Sequence, residues 1–246
     1  MTETFNTLGR WPTLPRPAAR NCARPDAAPY PTGMCNRARL DHEPETLREK
    51  FGAKWGPSGI PNRPTIELVP RARAPVVRSE GTQRIIDLMQ WDVLGGGAKW
   101  PMTNVRDLRD RWKTLASNPE NRCLVPLTEF CEWEQEATNL GDGKKPVKAE
   151  RWFKVIDQPL FAVAGFWQPT VKGEGFTMVT CDPNEKVAPI HPKAMITILR
   201  PEDWDTWLHG SYDEAVALQK PYPAELMTVG PQVFPTRQPP AQAAML

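Results

Sequence analysis

One cysteine and one histidine in this sequence carry the residue types that nucleophilic catalysis needs. Cys35 lies directly after Met34, and His191 lies directly before Pro192. A neighbouring imidazolium lowers the pKa of a thiol and favours the nucleophilic thiolate. With five cysteines and three histidines in the chain, such a pair also arises by chance, and a histidine before proline is typical of a loop. The wider sequence must decide between these interpretations.

Three consecutive glycines, Gly95 to Gly97, suggest a phosphate-binding loop. They lack the Lys-Ser/Thr pair and the helix start that such a loop requires. We therefore predict a turn at this point.

Composition excludes several classes of protein. The 246 residues carry a formal net charge of +2 and are 40% hydrophobic, which fits a globular chain and not a highly basic nucleic-acid binder. The longest apolar run, Leu160 to Trp167, is much shorter than the ~18 residues of a membrane span. The cysteines are scattered and odd in number, which is typical of free thiols in a reducing cytosol. We expect no metal site and no cofactor.

The first 33 residues differ from the rest of the chain. They are rich in proline, which lacks the amide hydrogen needed for regular pairing, and poor in apolar residues. This composition predicts a disordered leader at residues 1–33. We predict a folded domain at residues 34–233 and a flexible tail at residues 234–246.

Hydrophobic patterns predict the elements that would position a site. Glu43 to Phe51 reads as a helix, and Val105, Leu108, Trp112 and Leu115 recur at helical spacing up to about Ser117. Ser211 and Glu214 form a capping box for a third helix, through Leu218. Strands are predicted at Ile66–Val69, Ala74–Arg78, Arg84–Trp91, Cys123–Phe130, Trp152–Ile156, Leu160–Phe166, Phe176–Cys181 and Ala194–Leu199. This pattern favours an α+β fold with a mainly antiparallel, barrel-like β-sheet core and a few peripheral helices.

A series of local strings in a fixed order resembles the SRAP family, the SOS-response-associated peptidases or abasic-site processing proteins. The resemblance covers Met34 to Val233. The strings are Met34-Cys35-Asn36-Arg37, Pro70 through Arg78, Asn104-Val105-Arg106, Arg122 through Pro126 running to Glu132-Trp133, Ala164 through Trp167, Phe176 through Thr180, and Ile190-His191-Pro192-Lys193.

The resemblance implies a protein that binds single-stranded DNA and joins itself covalently to abasic sites. In the family, the cysteine after the initiator methionine becomes the N-terminus, and its amine and thiol trap the sugar aldehyde as a thiazolidine. Cys35 matches that cysteine. An α-amine has a pKa of ~7.7 to 8.0 and is partly neutral at pH 7, so it can attack an aldehyde. The thiol then closes a ring in an intramolecular step with an effective molarity of ~10⁵ M or more.

The resemblance also implies roles for three further side chains. Asn104 would hold the N-terminal residue and the sugar, Glu132 would move protons at the amine, and His191 would assist opening of the deoxyribose ring. The residues alone leave other interpretations open. Asn104 could instead be a helix N-cap before Val105, and Glu132 a surface carboxylate at a strand end.

DNA contacts are expected from several positions. Arg37, Arg106 and Lys193 would bind phosphates, the lysine standing where the family usually has arginine and so lacking the bidentate fork. Thr180 is a further expected DNA contact. Trp91 either stacks on an unpaired base or belongs to the core.

Departures from the family pattern affect the reacting end and the DNA surface. Asn36 replaces the usual glycine, Trp91 to Gly97 replaces a Trp-Gly-x-x-Pro-x-Trp stretch, and Leu108 replaces an acidic residue. Cys35 is also not residue 2, so either Met34 is the true start or the leader is removed by proteolysis.

Three functions therefore remain as hypotheses. The first is a monomeric, cytoplasmic protein that joins the nucleoid during DNA damage and crosslinks to abasic sites. The second is a thiol peptidase that uses Cys35 and His191 on other polypeptides. The third is a divergent single-stranded DNA-binding module without chemistry.

Overall fold

The computed structural model describes residues 37–62, 64–96, 98–141, 143 and 145–234. These residues all fall in one compact unit. The predicted leader, Cys35 and residues 235–246 of the predicted tail lie outside the described residues.

Short strands dominate the described part of the chain. The strands are β1 (Arg37–Asp41), β2 (Ala53–Trp55), β3 (Thr65–Leu68), β4 (Arg73–Glu80), β5 (Gln83–Trp91), β6 (Asn104–Val105), β7 (Arg122–Leu127), β8 (Glu129–Thr138), β9 (Val147–Val155), β10 (Phe161–Thr170), β11 (Gly173–Cys181), β12 (Met195–Ile196), β13 (Ile198–Leu199) and β14 (Met227–Val229). The α-helices are α1 (Pro44–Phe51), α2 (Lys113–Ser117), α3 (Trp204–His209) and α4 (Tyr212–Ala217). Single 3₁₀ turns occupy Pro119–Asn121, Pro201–Asp203 and Ala224–Leu226.

Five of these strands close into a barrel. They follow the order β11-β10-β7-β4-β5, with antiparallel pairs throughout. Parallel pairing of Gly175 with Gln90 and of Phe176 with Trp91 then joins β11 back to β5. Closure leaves no unpaired edge within this ring. The prediction of an α+β fold with a barrel-like, mainly antiparallel core is confirmed.

A second, five-stranded sheet carries β1 and β8. Its order is β14-β9-β8-β1-β3, and all of its pairs are antiparallel. Arg37 at the start of β1 lies opposite Cys131, which in turn lies opposite Trp152 on β9. Residues directly opposite one another point to the same face of a sheet, so these three side chains form one cross-strand row.

The buried guanidinium of Arg122 ties the helices to the barrel. Its Nε and Nη2 atoms donate to the carbonyl of Ala116, at 3.0 and 2.7 Å, and its Nη1 donates to the carbonyls of Trp207 and Gly210, at 3.1 and 2.7 Å. A charge removed from water is tolerated only with such a set of partners. Arg122 therefore holds the carboxyl ends of α2 and α3 against β7.

The predicted helix from Val105 to Ser117 is wrong over its first half. Val105 lies in β6, paired in parallel with Val179, and the α-helix begins only at Lys113. Val105 and Leu108 are both buried, so their spacing correctly signalled burial. Pairing with β11 overrides the local helical pattern.

Two predicted strands are each divided in the structure. The strand at Cys123–Phe130 breaks at Thr128, where the chain passes from the barrel to the second sheet. The strand at Ala194–Leu199 breaks at Thr197, whose amide donates to Val179 and whose carbonyl accepts from Ala164. In both places the chain changes its pairing partner, which a local pattern does not show.

The predicted capping box and the predicted glycine turn, which both depend on residues close together in sequence, are confirmed. Ser211 and Glu214 form the reciprocal capping box at the start of α4. Gly95 and Gly96 lie in a turn with positive φ, a conformation that favours glycine. The Asp92 carboxylate accepts the amides of Leu94 and Gly96, so a protein carboxylate occupies donors that a phosphate loop would offer. Gly97 lies outside the described residues.

Candidate active site

Glu132 is a buried carboxyl group on β8. It lies opposite Arg151 in the pairing of β8 with β9, and it is 1% exposed. Burial raises the pKa of the Glu132 carboxyl well above its ordinary value, because low polarity disfavours the charged form. Its Oε1 atom has no hydrogen-bond partner within the described chain. The site therefore holds a carboxyl group that favours its protonated form and has a free oxygen.

His191 faces this carboxyl from a tight turn. Asn184 begins the turn by accepting the amides of Lys186 and Val187, and the Val187 carbonyl accepts the amides of Ile190 and His191. The His191 Nδ1 atom lies 2.7 Å from the carbonyl of Ala194. A carbonyl only accepts, so Nδ1 carries the proton. That contact leaves Nε2 as the nitrogen available for chemistry.

The two side chains lie close together without being bonded. The His191 Nδ1 atom is 3.9 Å from Glu132 Oε2, which is beyond hydrogen-bond range. His191 is 4% exposed, and its Nε2 has no partner among the described residues. A buried carboxyl group and a buried imidazole thus lie side by side, and each has a polar atom without a partner in the described chain.

Gln135 links the strand that carries Glu132 to the turn that carries His191. Nothing in the sequence pointed to this residue. It lies on β8, three residues after Glu132, and its Nε2 donates to the carbonyl of Ile190 at 3.0 Å. Because Ile190 directly precedes His191, this bond fixes the histidine turn against the strand that carries the carboxyl group. A glutamine after a Glu-Trp string has no sequence signature that marks it.

Asn104 is buried on β6, beside β11. It is 2% exposed, lies opposite Met178, and its Nδ2 donates to the Thr103 hydroxyl at 3.1 Å. The interpretation of Asn104 as a helix N-cap is wrong, because Asn104 itself lies in β6 and the next α-helix begins only at Lys113. Arg106, two residues on, donates to the carbonyl of Lys193. This bond joins the segment that carries Asn104 to the segment that carries His191.

Arg106 and Lys193 lie at the surface of that region. Both are exposed, and the Arg106 guanidinium also pairs with the exposed carboxylate of Asp182. Gln219 supports this arrangement, since its Nε2 donates to the carbonyls of Arg106 and Thr180. The structure thus brings two of the predicted phosphate-binding residues together beside the Glu132 and His191 pair.

Two predicted DNA contacts face inward. Trp91 is fully buried, its Nε1 donates to the Thr103 carbonyl at 2.8 Å, and its ring stacks on Phe176. Stacking of Trp91 on a base is therefore wrong for this fold, and the core alternative is right. Thr180 is also buried, and its hydroxyl donates to the Val105 carbonyl. The hydroxyl of Thr180 is therefore engaged inside the protein, and its contact with DNA stays a prediction.

Arg37 is engaged by carboxylates on two strands. It pairs with Glu67 of β3 and with the buried Glu150 of β9. A DNA phosphate would have to compete with both. The structure places this predicted DNA contact at the point where β1 begins.

The cysteines that the structure describes do not have the character of nucleophiles. Cys123, Cys131 and Cys181 are free and buried, and burial raises the pKa of each thiol, that of Cys181 to about 11. A reactive thiol needs the opposite shift. Cys35, the predicted nucleophile, lies outside the described residues.

The described residues also show two absences. No group of three or more His, Cys, Asp or Glu side chains in the described ranges is placed to hold a metal ion. None of the helices that the structure describes has the length and apolar character that a membrane span requires.

Known structures share this fold at low sequence identity. A protein from Bacteroides thetaiotaomicron matches with a TM-score of 0.60 and 20% identity over 79% of this chain and 90% of its own. A protein from Bordetella bronchiseptica matches with a TM-score of 0.64 and 19% identity over 81% and 99%. A phage-related protein from the same organism matches with a TM-score of 0.61 and 20% identity over 83% and 95%. At such identities, these likenesses show the fold alone.

The sequence comparison extends this from fold to family. No curated protein matches the chain. The family described as SOS response associated peptidase (SRAP) matches residues 34–234, which is most of the 246 residues and includes the strands that carry Asn104 and Glu132 and the turn that carries His191. The chain belongs to the SRAP family.

Proposed function

We propose that this chain captures abasic sites in single-stranded DNA as a covalent adduct, through the α-amine and thiol of Cys35. The observation that carries the proposal is the buried pair of Glu132 and His191. Each has a polar atom without a partner in the described chain, and His191 Nδ1 lies 3.9 Å from Glu132 Oε2. Buried polar atoms are costly unless a partner binds them, so this pair is suited to a ligand that arrives with its own donors and acceptors.

Cys35 precedes by two positions a strand that pairs with β8, the strand of Glu132. Arg37 begins β1 and lies opposite Cys131, the direct neighbour of Glu132. Consecutive residues advance by at most about 3.6 Å, so two residues cover no more than about 7 Å. The amine and thiol of position 35 are thus tethered to the strand pair that carries the carboxyl group.

The proposed reaction proceeds by addition, loss of water and ring closure. The neutral amine attacks C1′ of the open sugar aldehyde, forming a C–N bond and a carbinolamine. The hydroxyl group leaves as water, and an imine remains. The thiol sulfur then adds to the imine carbon while its proton passes to the nitrogen, which closes the thiazolidine. In sum, one aldehyde and one N-terminal cysteine give one thiazolidine and one water.

The two buried groups suit different steps of this sequence. A protonated Glu132 can donate to the departing hydroxyl and then, as a carboxylate, take up a proton again. The Nε2 of His191 can accept the C1′ hydroxyl proton as the closed sugar opens to its aldehyde. The Nδ1 contact with Ala194 keeps Nε2 in the form that accepts a proton.

Capture in this manner requires a free amine at Cys35. An amide nitrogen is planar and conjugated with its carbonyl, so it does not attack an aldehyde. The proposal therefore includes release of residues 1–34, either by cleavage of the Met34–Cys35 bond with the Cys35 thiol as attacking group or by translation from Met34. In the cleavage route, Glu132 and Asn104 would polarise and position that bond.

The decisive experiment uses protein started at Met34. It is incubated with a single-stranded oligonucleotide carrying one abasic site, and the products are separated on a denaturing gel. We expect a heat-stable shifted band. A matched oligonucleotide with a tetrahydrofuran analogue, which has no aldehyde, should give none.

Each alternative function gives a different result in the same experiment. A complex seen only on native gels would refute the chemistry and support a DNA-binding module. Cleavage of an unrelated peptide in trans, without an adduct, would support a thiol peptidase.

A further inference from the structure

Arg151 is the residue of β9 that lies directly opposite Glu132 of β8. Residues opposite one another in an antiparallel pair point to the same face of the sheet, with Cβ atoms about 4.5 to 5.5 Å apart. The side chain of Arg151 therefore begins next to the buried carboxyl group. From this register alone, an ion pair between the guanidinium and Glu132 is the simplest expectation.

The structure gives the Arg151 guanidinium other partners. Its Nε donates to the carbonyl of Gly230 at 3.0 Å, and its Nη1 donates to Glu134 Oε1 at 2.9 Å. Within the described chain, no hydrogen bond joins Glu132 Oε1 to any group, and the ion pair of Arg151 is with Glu134. The cation opposite Glu132 is therefore directed away from it.

Glu134 is suited to keep this cation because it is itself held in its charged form. Its Oε2 accepts from Gln232 Nε2 at 2.6 Å. The hydrogen bonds from Gln232 and Arg151 lower the pKa of Glu134, since they favour the carboxylate. The Glu134 side chain is 20% exposed, whereas Glu132 is buried. The carboxyl group that keeps its charge is thus the one that also keeps contact with water.

Backbone pairing fixes the second partner of the guanidinium. The Gly230 amide donates to the carbonyl of Trp152 at 2.8 Å, directly after the pairing of β14 with β9. The Gly230 carbonyl is therefore held by the sheet and not by a mobile side chain. Arg151 is fixed between this carbonyl and the Glu134 carboxylate.

We propose that Glu134 is a positioning residue that holds the Arg151 guanidinium away from Glu132, so that Glu132 keeps the proton it donates in the reaction. This inference rests on the proposed function. Arg151 faces Glu132 from β9, and His191 faces it from its turn, with Nδ1 at 3.9 Å from Glu132 Oε2. A cation within about 4 to 6 Å favours the ionised form of a carboxyl group. If Arg151 turned towards Glu132, it would therefore remove the proton donor from the site.

The test compares each protein with its Glu132→Gln counterpart by urea unfolding at pH 5.5, 6.5 and 7.5. In the wild-type background, the unfolding constant should rise about tenfold per pH unit relative to the counterpart, while the folded protein keeps Glu132 protonated. In the Glu134→Ala background, the ratio should change by less than about twofold per pH unit, because Arg151 becomes the partner of an ionised Glu132. A full dependence in Glu134→Ala would overturn the inference.

Two matched variants identify Arg151 as the cause. Arg151→Met added to Glu134→Ala should restore the dependence on pH, because the competing cation is gone. Glu134→Gln keeps an oxygen that accepts from Arg151 and should retain the dependence without a second substitution. Failure of Arg151→Met to restore the dependence, or its loss in Glu134→Gln, would contradict a role based on this bond.

Adduct formation connects this arrangement with the reaction. In protein started at Met34, Glu134→Ala should slow the adduct about tenfold or more at about pH 7, and Arg151→Met in the same chain should recover the rate. A changed dependence in unfolding with a normal adduct rate would refute the role in the reaction. Wild-type protein that forms no adduct would refute the proposed function, and the unfolding series would still decide whether Glu134 holds Arg151 away from Glu132.

Discussion

The substitution Glu132→Gln tests whether the buried carboxyl group is protonated in the folded protein. Glu132 is 1% exposed, and burial raises its pKa well above the ordinary value of 4.5. Above about pH 4.5, the unfolded chain therefore binds fewer protons at this position than the folded chain does. The contribution of Glu132 to the free energy of unfolding therefore falls as the pH rises, until the pKa of the folded protein is reached.

The magnitude follows from the slope of this linkage. Each pH unit between the unfolded and folded pKa changes the free energy of unfolding by about 1.4 kcal/mol. Wild-type protein should lose stability relative to Glu132→Gln at about this slope, over the range above pH 4.5 in which the folded protein keeps Glu132 protonated. Glutamine has a similar shape and no charge, so the variant lacks this dependence.

The assay is urea unfolding of wild-type and variant protein at pH 5.5, 6.5 and 7.5. The difference between the two proteins cancels the titration of all other groups that the substitution leaves unperturbed. Glu134→Gln, two residues along β8, is the matched control. Hydrogen bonds from Gln232 and Arg151 lower the pKa of Glu134, so its contribution is lost only as the pH falls through the acid range. Its difference from wild type should be constant between pH 5.5 and 7.5.

A constant difference for Glu132→Gln over the same range would refute this reasoning. It would mean that Glu132 is ionised in the folded protein over this pH range. The same variant should also form adduct more slowly than wild type, because an amide cannot donate and recover the proton that dehydration requires.

Three further predictions concern the reaction. Cys35→Ala should lose the heat-stable adduct while noncovalent DNA binding persists, and a surviving adduct would exclude the thiazolidine route. Arg106→Ala should weaken capture and reduce its log–log salt slope by about 0.7, as measured from adduct yield at several salt concentrations; capture that does not change would place Arg106 away from the DNA. Intact mass spectrometry of protein expressed from Met1 should show loss of residues 1–34 and retention in Glu132→Ala if cleavage exposes Cys35. Full-length protein that keeps the leader and still forms adduct would contradict the requirement for a free amine.

Several elements could be predicted from the sequence because their cause is local. β4, β5, β10 and β11 lie where β-branched runs between proline or glycine turns predicted strands. The capping box at Ser211 forms between residues three positions apart. The family resemblance, carried by strings in a fixed order from Met34 onward, agrees with the matched range of residues 34–234.

The sequence was insufficient where long-range pairing decides the outcome. Val105 has helical spacing with its neighbours but pairs with Val179, and Trp91 pairs with Phe176 in the strands that close the barrel. Arg37 donates a hydrogen bond to Glu150, which lies 113 positions further along the chain. Each partner becomes a neighbour only after the sheets form.

Sequence alone therefore determined which residue types were available for chemistry and their order along the chain, since motif and turn signals depend on adjacent positions. The tertiary structure decided their surroundings. Burial of Glu132 raises the pKa of its carboxyl group, and the fold places this group beside His191. Gln135 bonds to the turn that carries the histidine. Burial and hydrogen bonding between distant segments set proton affinity and orientation, and neither property belongs to a residue before the chain has folded.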